Sequence, residues 1–222
     1  MLFASRLGQP MTAENSPLLS RSGQWVHDTV DGIFLAGNVD RHGVSHPALC
    51  RSEYWHHDND WADEKTRRLF NILHTVVLPE TPGPTSFIDV RHLRSTLLPE
   101  EELLLSDASV TVKLSDIADY DGGGSGAECP PPPPATHKVL DVHPASGIPV
   151  AYMPDGTANL SNGAKVPSMD IFRPIINRQP LVTHMWAPGD VLVWDNLSVM
   201  HRSAGGYKGP RLLYRSQSIW EL

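Results

Sequence analysis

Trp186-Ala187-Pro188-Gly189-Asp190-Val191-Leu192-Val193-Trp194-Asp195-Asn196, running on into Met200-His201-Arg202, is the stretch on which the reading of this chain turns. A Pro-Gly-Asp turn feeds a short apolar run, and a Trp-Asp-Asn turn then delivers a histidine. Bland core packing asks for no such order. Far upstream, Tyr54-Trp55-His56-His57-Asp58 sets a histidine and a carboxylate two residues apart, and on an extended segment residues i and i+2 share a face. Alone, His-x-Asp is a weak signal, because 11 histidines and 19% charged residues make chance matches easy. With His201 added, His56 and Asp58 form a set of two imidazoles and one carboxylate. Such a facial triad leaves positions open on an octahedral ion and suits non-haem Fe(II).

Short strands surround these motifs. GIFLAG (32–37), Leu73 to Leu78, Ser86 to Val90 and RLLYRSQSIW (211–220) carry β-branched or apolar runs bounded by turn residues. VLDV-HPASG-IPVAYM (139–153) and THMW-APGD-VLVWDN (183–196) read as two strand pairs, each closed by a Pro/Gly turn. LPEEELLLSD (98–107) places acidic residues ahead of leucines, the bias of a helix start. DGGGSGAECPPPPP (121–134) joins a flexible glycine tract to a stiff proline tract and reads as a surface insertion. There are no repeats. Strands spaced this way, with few helices, fit a sandwich, a barrel or a double-sheet jelly roll, and composition does not choose among them.

The bulk numbers exclude several classes. With 222 residues, 40% of them hydrophobic, the chain fits a single domain over 1–222 that buries a core without staples. Two cysteines, Cys50 and Cys129, rule out a disulfide scaffold. A net charge of −7, with no basic run longer than Arg67-Arg68, speaks against nucleic-acid partners and polybasic membrane anchoring. No apolar stretch approaches the roughly 20 residues that span a bilayer, and MLFASRLGQP lacks a signal-peptide core, so a reduced, cytoplasmic protein is expected.

Taken together the motifs resemble those of the taurine/chlorophenoxyacetate dioxygenase (TauD/TfdA) family of Fe(II)- and 2-oxoglutarate-dependent oxygenases. Trp55, His56, His57 and Asp58 match its Trp-His-x-Asp block, which sets the register on His56 and makes His57 the intervening residue. Pro79 to Thr85 match a Pro/Gly turn ending in Thr, and His143-Pro144-Ala145-Ser146-Gly147 match a structural hairpin. Pro188 to His201 match the Pro-Gly-Asp, Trp-Asp-Asn and His block, and Arg211 with Arg215 match an Arg-x-x-x-Arg strand. The blocks arrive in the family's order. Two departures stand out: Pro84 and Pro210 occupy positions that are often polar in relatives, and Leu2 to Gly8 resemble the end of a helix that lies well inside a typical member.

The resemblance implies a mainly β fold with a few helices, a double-stranded β-helix of the cupin-like jelly-roll type. It implies Fe(II) on His56, Asp58 and His201, with O₂ and the cosubstrate 2-oxoglutarate, held by Thr85 and Arg211. Succinate and CO₂ would be released as a C–H bond of the substrate is oxidised. Arg215, on one strand face with Arg211, Leu213 and Gln217, is expected either to bind the carboxylate of a small organic acid or amino acid, or to pair with a protein carboxylate or brace 2-oxoglutarate. Asp58 occupies the position that halogenases of this type leave to halide, which favours hydroxylation, desaturation or cyclisation. Trp55, Trp186 and Trp194 read as packing. Asp195-Asn196 either orients the loop carrying His201 or simply forms a turn, and His74, His92, His137 and His184 fit no ligand spacing. The late start implies an uncovered barrel edge and hence a homodimer. Two other classes keep parts of the pattern: an inactive barrel acting as a binding module, and a non-oxidative cupin-type metalloprotein that has no need of Arg211.

Overall fold

The computed structural model describes residues 2–12, 14–15, 27–45, 53–113, 133–154, 158–160 and 168–221. Their strands are, in chain order, β1 (Gln9–Pro10), β2 (Phe34–Gly37), β3 (Leu69–Val77), β4 (Thr85–Asp89), β5 (Ser109–Val112), β6 (Ala135–Lys138) and β7 (Leu140–Val142). There follow β8 (Pro149–Ala151), β9 (Ala158–Leu160), β10 (Val182–His184), β11 (Val191–Asp195), β12 (Val199–Ser203) and β13 (Leu212–Ile219). The helices are α1 (Glu64–Arg67), α2 (Pro99–Leu105) and α3 (Ser168–Asn177). Cys50, Cys129 and all of the expected 121–134 insertion except 133–134 lie outside the described residues.

Two antiparallel sheets carry the molecule. The major one runs β1-β13-β3-β11, with β2 also paired to β13, and the minor one runs β10-β4-β12. Leu73, Leu213 and Trp194 from the major sheet meet Phe87 of the minor sheet and Trp186 in one buried cluster, which fills the space between them. Period-two alternation sorts β13: Leu213 belongs to that interior, whereas Leu212 packs with Leu35, Val39 and Tyr214 on the opposite face. A β-bulge falls where β13 meets the end of β3: Leu212 faces Val77 and Leu213 faces Thr75, so the extra residue is Val76. A second, larger core gathers Ile88, Leu105, Val110, Phe172, Ile175 and Ile176, tying α2, α3 and β5 to the minor sheet. This is the expected mainly β jelly roll with a few helices.

One expected pairing is wrong. The strands on either side of Ala187–Asp190 form no hairpin: β10 pairs with β4 in the minor sheet and β11 with β3 in the major one. The turn between them is bound to β3, where Thr75 accepts from Gly189 N–H at 2.8 Å and donates to the Ala187 carbonyl at 3.1 Å. A crossing between sheets looks locally like a tight turn, since both use Pro and Gly. The other expected pair, β7 with β8, is a hairpin, closed by His143 N–H on the Ile148 carbonyl at 2.8 Å. β3 begins at Leu69, earlier than Leu73, and α2 starts at Pro99, where Glu101 accepts from Leu98 N–H at 2.9 Å. The sheet β6-β5-β9 and helix α3 were not expected. Pro174 inside α3 masks a helical pattern that buries Phe172, Ile175 and Ile176.

Candidate metal centre

His56 and His201 are held to each other by their main chains. His56 N–H donates to the His201 carbonyl at 3.1 Å and His201 N–H to the His56 carbonyl at 3.0 Å, an isolated antiparallel bridge at β12. Their rings lie with centroids 4.3 Å apart. Nδ1 of His56 is 2.8 Å from the Tyr54 carbonyl, so that nitrogen carries the proton and Nε2 keeps a free lone pair.

Asp58 completes the group. Its Oδ1 lies 3.9 Å from His56 Nε2 and its Oδ2 3.8 Å from His201 Nε2. The donor atoms of the three buried residues all fall within 4.8 Å of one another, and among the described residues no other such group occurs. Oδ2 of Asp58 is buried without a hydrogen-bond partner, a state that a bound cation relieves. Burial alone would push the Asp58 carboxyl up, but Arg215 and then His201 and His56 hold it below its usual range. Burial, with His56 beside it, keeps His201 well below the ordinary imidazole range. An anionic carboxylate beside a neutral His201 imidazole is the protonation state that binds a divalent ion.

Arg215 reaches this carboxylate directly, with Nη1 2.9 Å from Asp58 Oδ1 and its guanidinium 4.7 Å over the Phe34 ring. Of the partners weighed for it, the structure shows the protein carboxylate. Thr85 opens β4, where its Oγ1 accepts from Trp186 Nε1–H at 2.9 Å, leaving its own hydroxyl hydrogen for another acceptor. The loop before Thr85 lies against the loop before Arg211. Ala204 N–H donates to the Pro84 carbonyl at 2.9 Å, and Gly83, at φ +64°, has no room for a Cβ beneath the Gly205 carbonyl. Arg211 is buried, with its guanidinium 5.0 Å over the Tyr207 ring. Asn38 fixes its main chain, accepting from Arg211 N–H at 2.8 Å and donating its own N–H to the Arg211 carbonyl at 3.0 Å.

The tryptophans pack as read: Trp194 lies 4.8 Å from the His201 ring and edge-on to Phe87, and Trp55 lies beneath the Arg202 guanidinium at 4.6 Å. Asp195 forms the turn that was one of the two readings, accepting from Leu197 N–H at 3.0 Å, and Asn196 takes a different role. Asp195 accepts from Ser198 Oγ at 2.6 Å and from His143 Nε2 at 2.8 Å, whereas the Asn196 side chain turns to Asp58 and not to the His201 loop. His57 donates from Nδ1 to the Asn196 carbonyl at 2.6 Å, and burial with Arg67 nearby lowers it to about 3. His184 pairs with Asp190 at 3.0 Å, His74 and His92 are exposed, and His137 is buried with Nε2 3.0 Å from the Asp60 carbonyl. Sequence reasoning missed Asn71 and gave Gln217 no role, although both are buried polar groups in otherwise apolar strands.

Residues 3–217 match the family model described as taurine catabolism dioxygenase TauD, TfdA family. The chain belongs to the TauD/TfdA family. It is 24% identical over 159 residues to an alpha-ketoglutarate-dependent 2,4-dichlorophenoxyacetate dioxygenase of Cupriavidus pinatubonensis, covering 68% of this chain and 54% of that protein. It is 25% identical over 175 residues to an alkylsulfatase of Acinetobacter baylyi, covering 71% of this chain and 53% of that protein. The chain therefore spans about half the length of these relatives. Among solved structures, AAD-2 in complex with Mn(II) and N-oxalylglycine superposes with a TM-score of 0.67 at 20% identity, covering 86% of this chain and 74% of that one. A taurine dioxygenase from Burkholderia xenovorans gives 0.68 at 16% identity, covering 99% and 71%. These likenesses show the TauD/TfdA jelly roll. No helix among the described residues is long and apolar enough to cross a membrane.

Proposed function

We propose that this TauD/TfdA chain is an Fe(II)- and 2-oxoglutarate-dependent oxygenase acting on a C–H bond of a small, carboxylate-bearing substrate. The observation that carries the reading is the buried His56-Asp58-His201 cluster, with the unpartnered Asp58 Oδ2 among its donors. Fe(II) held there supplies activation of O₂, coupled to decarboxylation of 2-oxoglutarate to succinate and CO₂. The chain's own residues do the positioning. Arg211 offers the planar fork suited to the far carboxylate of 2-oxoglutarate, and the Thr85 hydroxyl donates a second hydrogen bond to it. Arg215, on the rim of the triad, takes the substrate carboxylate, so that the anion orients the reacting carbon. Trp194, Phe87 and Leu213 keep water from the interior around His201. Because Asp58 supplies a protein carboxylate to the ion, the outcome is hydroxylation, desaturation or cyclisation and not halogenation.

The test is anaerobic addition of Fe(II) and 2-oxoglutarate, followed by a substrate screen read as succinate formation. A visible charge-transfer band and substrate-dependent succinate support the proposal. Absence of the band favours an inactive barrel or a non-oxidative metalloprotein.

A further inference from the structure

We propose that Asn196 is a positioning residue for the metal carboxylate, gripping the main chain of Asp58 from both sides and itself held by a buried amide relay through Asn71 to Gln217. The inference rests on His56, Asp58 and His201 being the metal ligands.

The three ligands are not held in the same way. His56 and His201 brace each other through the two hydrogen bonds of their bridge. Asp58 lies beyond that bridge, in a turn that continues through Asn59 at φ +57°, and no sheet partner takes its main-chain groups. Asn196 takes them instead. Its Oδ1 accepts from Asp58 N–H at 2.8 Å and its Nδ2 donates to the Asp58 carbonyl at 2.8 Å. The same amide is filled on its other two sides: Nδ2 also donates to the Arg67 carbonyl at 3.2 Å, and Oδ1 accepts from Asn71 Nδ2 at 3.1 Å. Asn71 Oδ1 in turn accepts from Gln217 Nε2 at 2.7 Å.

Asn196 and Asn71 are 0% exposed and Gln217 2%, so every bond in the relay is shielded from water and costly to leave unmade. Gln217 and Asn71 face each other in register on β13 and β3, which makes the relay part of the sheet itself. The backbone of Asn196 is fixed as well, with its N–H on the Leu69 carbonyl at 2.8 Å and its carbonyl receiving His57 Nδ1–H at 2.6 Å. Gln217 thus steadies the Asp58 main chain from β13, while Arg215, two residues earlier on the same strand, holds the carboxylate at Oδ1. Only asparagine meets the geometry. Aspartate cannot donate to the Asp58 carbonyl, and leucine can do neither.

The experiment titrates Mn(II) into apo protein by calorimetry, records the anaerobic Fe(II)/2-oxoglutarate band, and follows urea unfolding of the same apo samples. Asn196→Ala and Asn196→Asp are expected to weaken Mn(II) binding by about 10- to 100-fold and to weaken or shift the band. Asn71→Ala, one step removed, leaves both Asn196 contacts to Asp58 in place and is expected to cost a smaller, several-fold loss. Wild-type metal affinity and an unchanged band in a less stable Asn196 variant would assign the residue to the fold alone and overturn the proposal. If neither Asn196 variant folds, a folded Asn71→Ala with unchanged Mn(II) affinity overturns it equally. A wild-type protein that binds no Mn(II) and shows no band overturns the functional reading instead, which separates the two failures.

Discussion

Arg215 Nη1 lies 2.9 Å from Asp58 Oδ1, so β13, which begins beside Arg211, reaches the triad four residues later. The pair shares a half-buried setting in which the guanidinium is partly open and the carboxylate is not. A substrate carboxylate arriving at Arg215 would share a cation that is already positioned. Arg215→Leu is expected to raise substrate KM by about 30-fold or more, the equivalent of the ~2 kcal/mol lower bound for truncating one partner of a buried charge pair. Because Arg215 also holds Asp58, metal affinity is measured in the same variant, and at saturating Fe(II) the cosubstrate KM should change little. Arg211→Leu is expected to do the reverse, and steady-state kinetics in both concentrations reads the difference. Equal loss of 2-oxoglutarate affinity in both variants would remove the argument for an acidic substrate.

The triad and its intervening histidine should separate cleanly. His56→Ala, Asp58→Ala and His201→Ala are each expected to abolish iron-dependent turnover. His57→Ala should keep measurable activity and the anaerobic band, because its Nδ1 faces the Asn196 carbonyl. It should lose stability, by roughly 1–3 kcal/mol for an unsatisfied buried carbonyl, measured as a shift in urea midpoint. A folded but inactive His57→Ala protein would move the ligand register.

Thr85 accepts from Trp186 and is proposed to donate to the cosubstrate, and one substitution pair tests the hydroxyl that would serve both. Thr85→Ser preserves both and is expected to keep 2-oxoglutarate KM close to that of wild type, because the hydroxyl is retained. Thr85→Val loses both, and should raise that KM and lower the melting temperature together. A higher KM in Thr85→Ser as large as in Thr85→Val would point to the lost methyl and not the hydroxyl.

His137 supplies a pH test at a residue outside the triad. Burial, with Arg67 nearby, lowers it from 6.5 to about 4, so the folded protein keeps it neutral where the unfolded chain protonates it. A lowered imidazole contributes stability above pH 6.5 that is lost as the pH falls towards about 4. Complete loss amounts to roughly 3 kcal/mol at 1.36 kcal/mol per unit, an upper figure. His137→Gln, which retains a donor for the Asp60 carbonyl, should show a flatter stability profile across that window. Parallel profiles for the two proteins would show that the acid sensitivity lies elsewhere.

Two sheet ends bear on assembly. Among the described residues, β11 ends the major sheet and β10 the minor one, and Val191, Val193 and Val182 on them are exposed. A homodimer is the expected outcome, and light scattering across a concentration series measures it. A monodisperse monomer at high concentration would contradict the expectation.

What the chain alone determined was chemistry carried by contiguous residues. His-x-Asp, the Pro-Gly-Asp to His201 run and the paired arginines are local patterns, and the candidate metal cluster, the family and the β13 alternation followed from them. The hairpin of β7 and β8 was legible for the same reason, since His143 to Gly147 contain the whole turn. The tertiary structure decided everything that depends on which distant segments meet. The Ala187–Asp190 turn looks like a hairpin locally and becomes a crossing between sheets because Thr75, from another strand, binds it. Asn196 read either as a support for the His201 loop or as turn chemistry, but its amide serves Asp58, and the relay through Asn71 to Gln217 joins residues more than a hundred positions apart. The partner of Arg215 was likewise undetermined until β13 was laid against the Asp58 turn. A side chain's residue type states what it can donate or accept, and only packing states which buried group is left needing it.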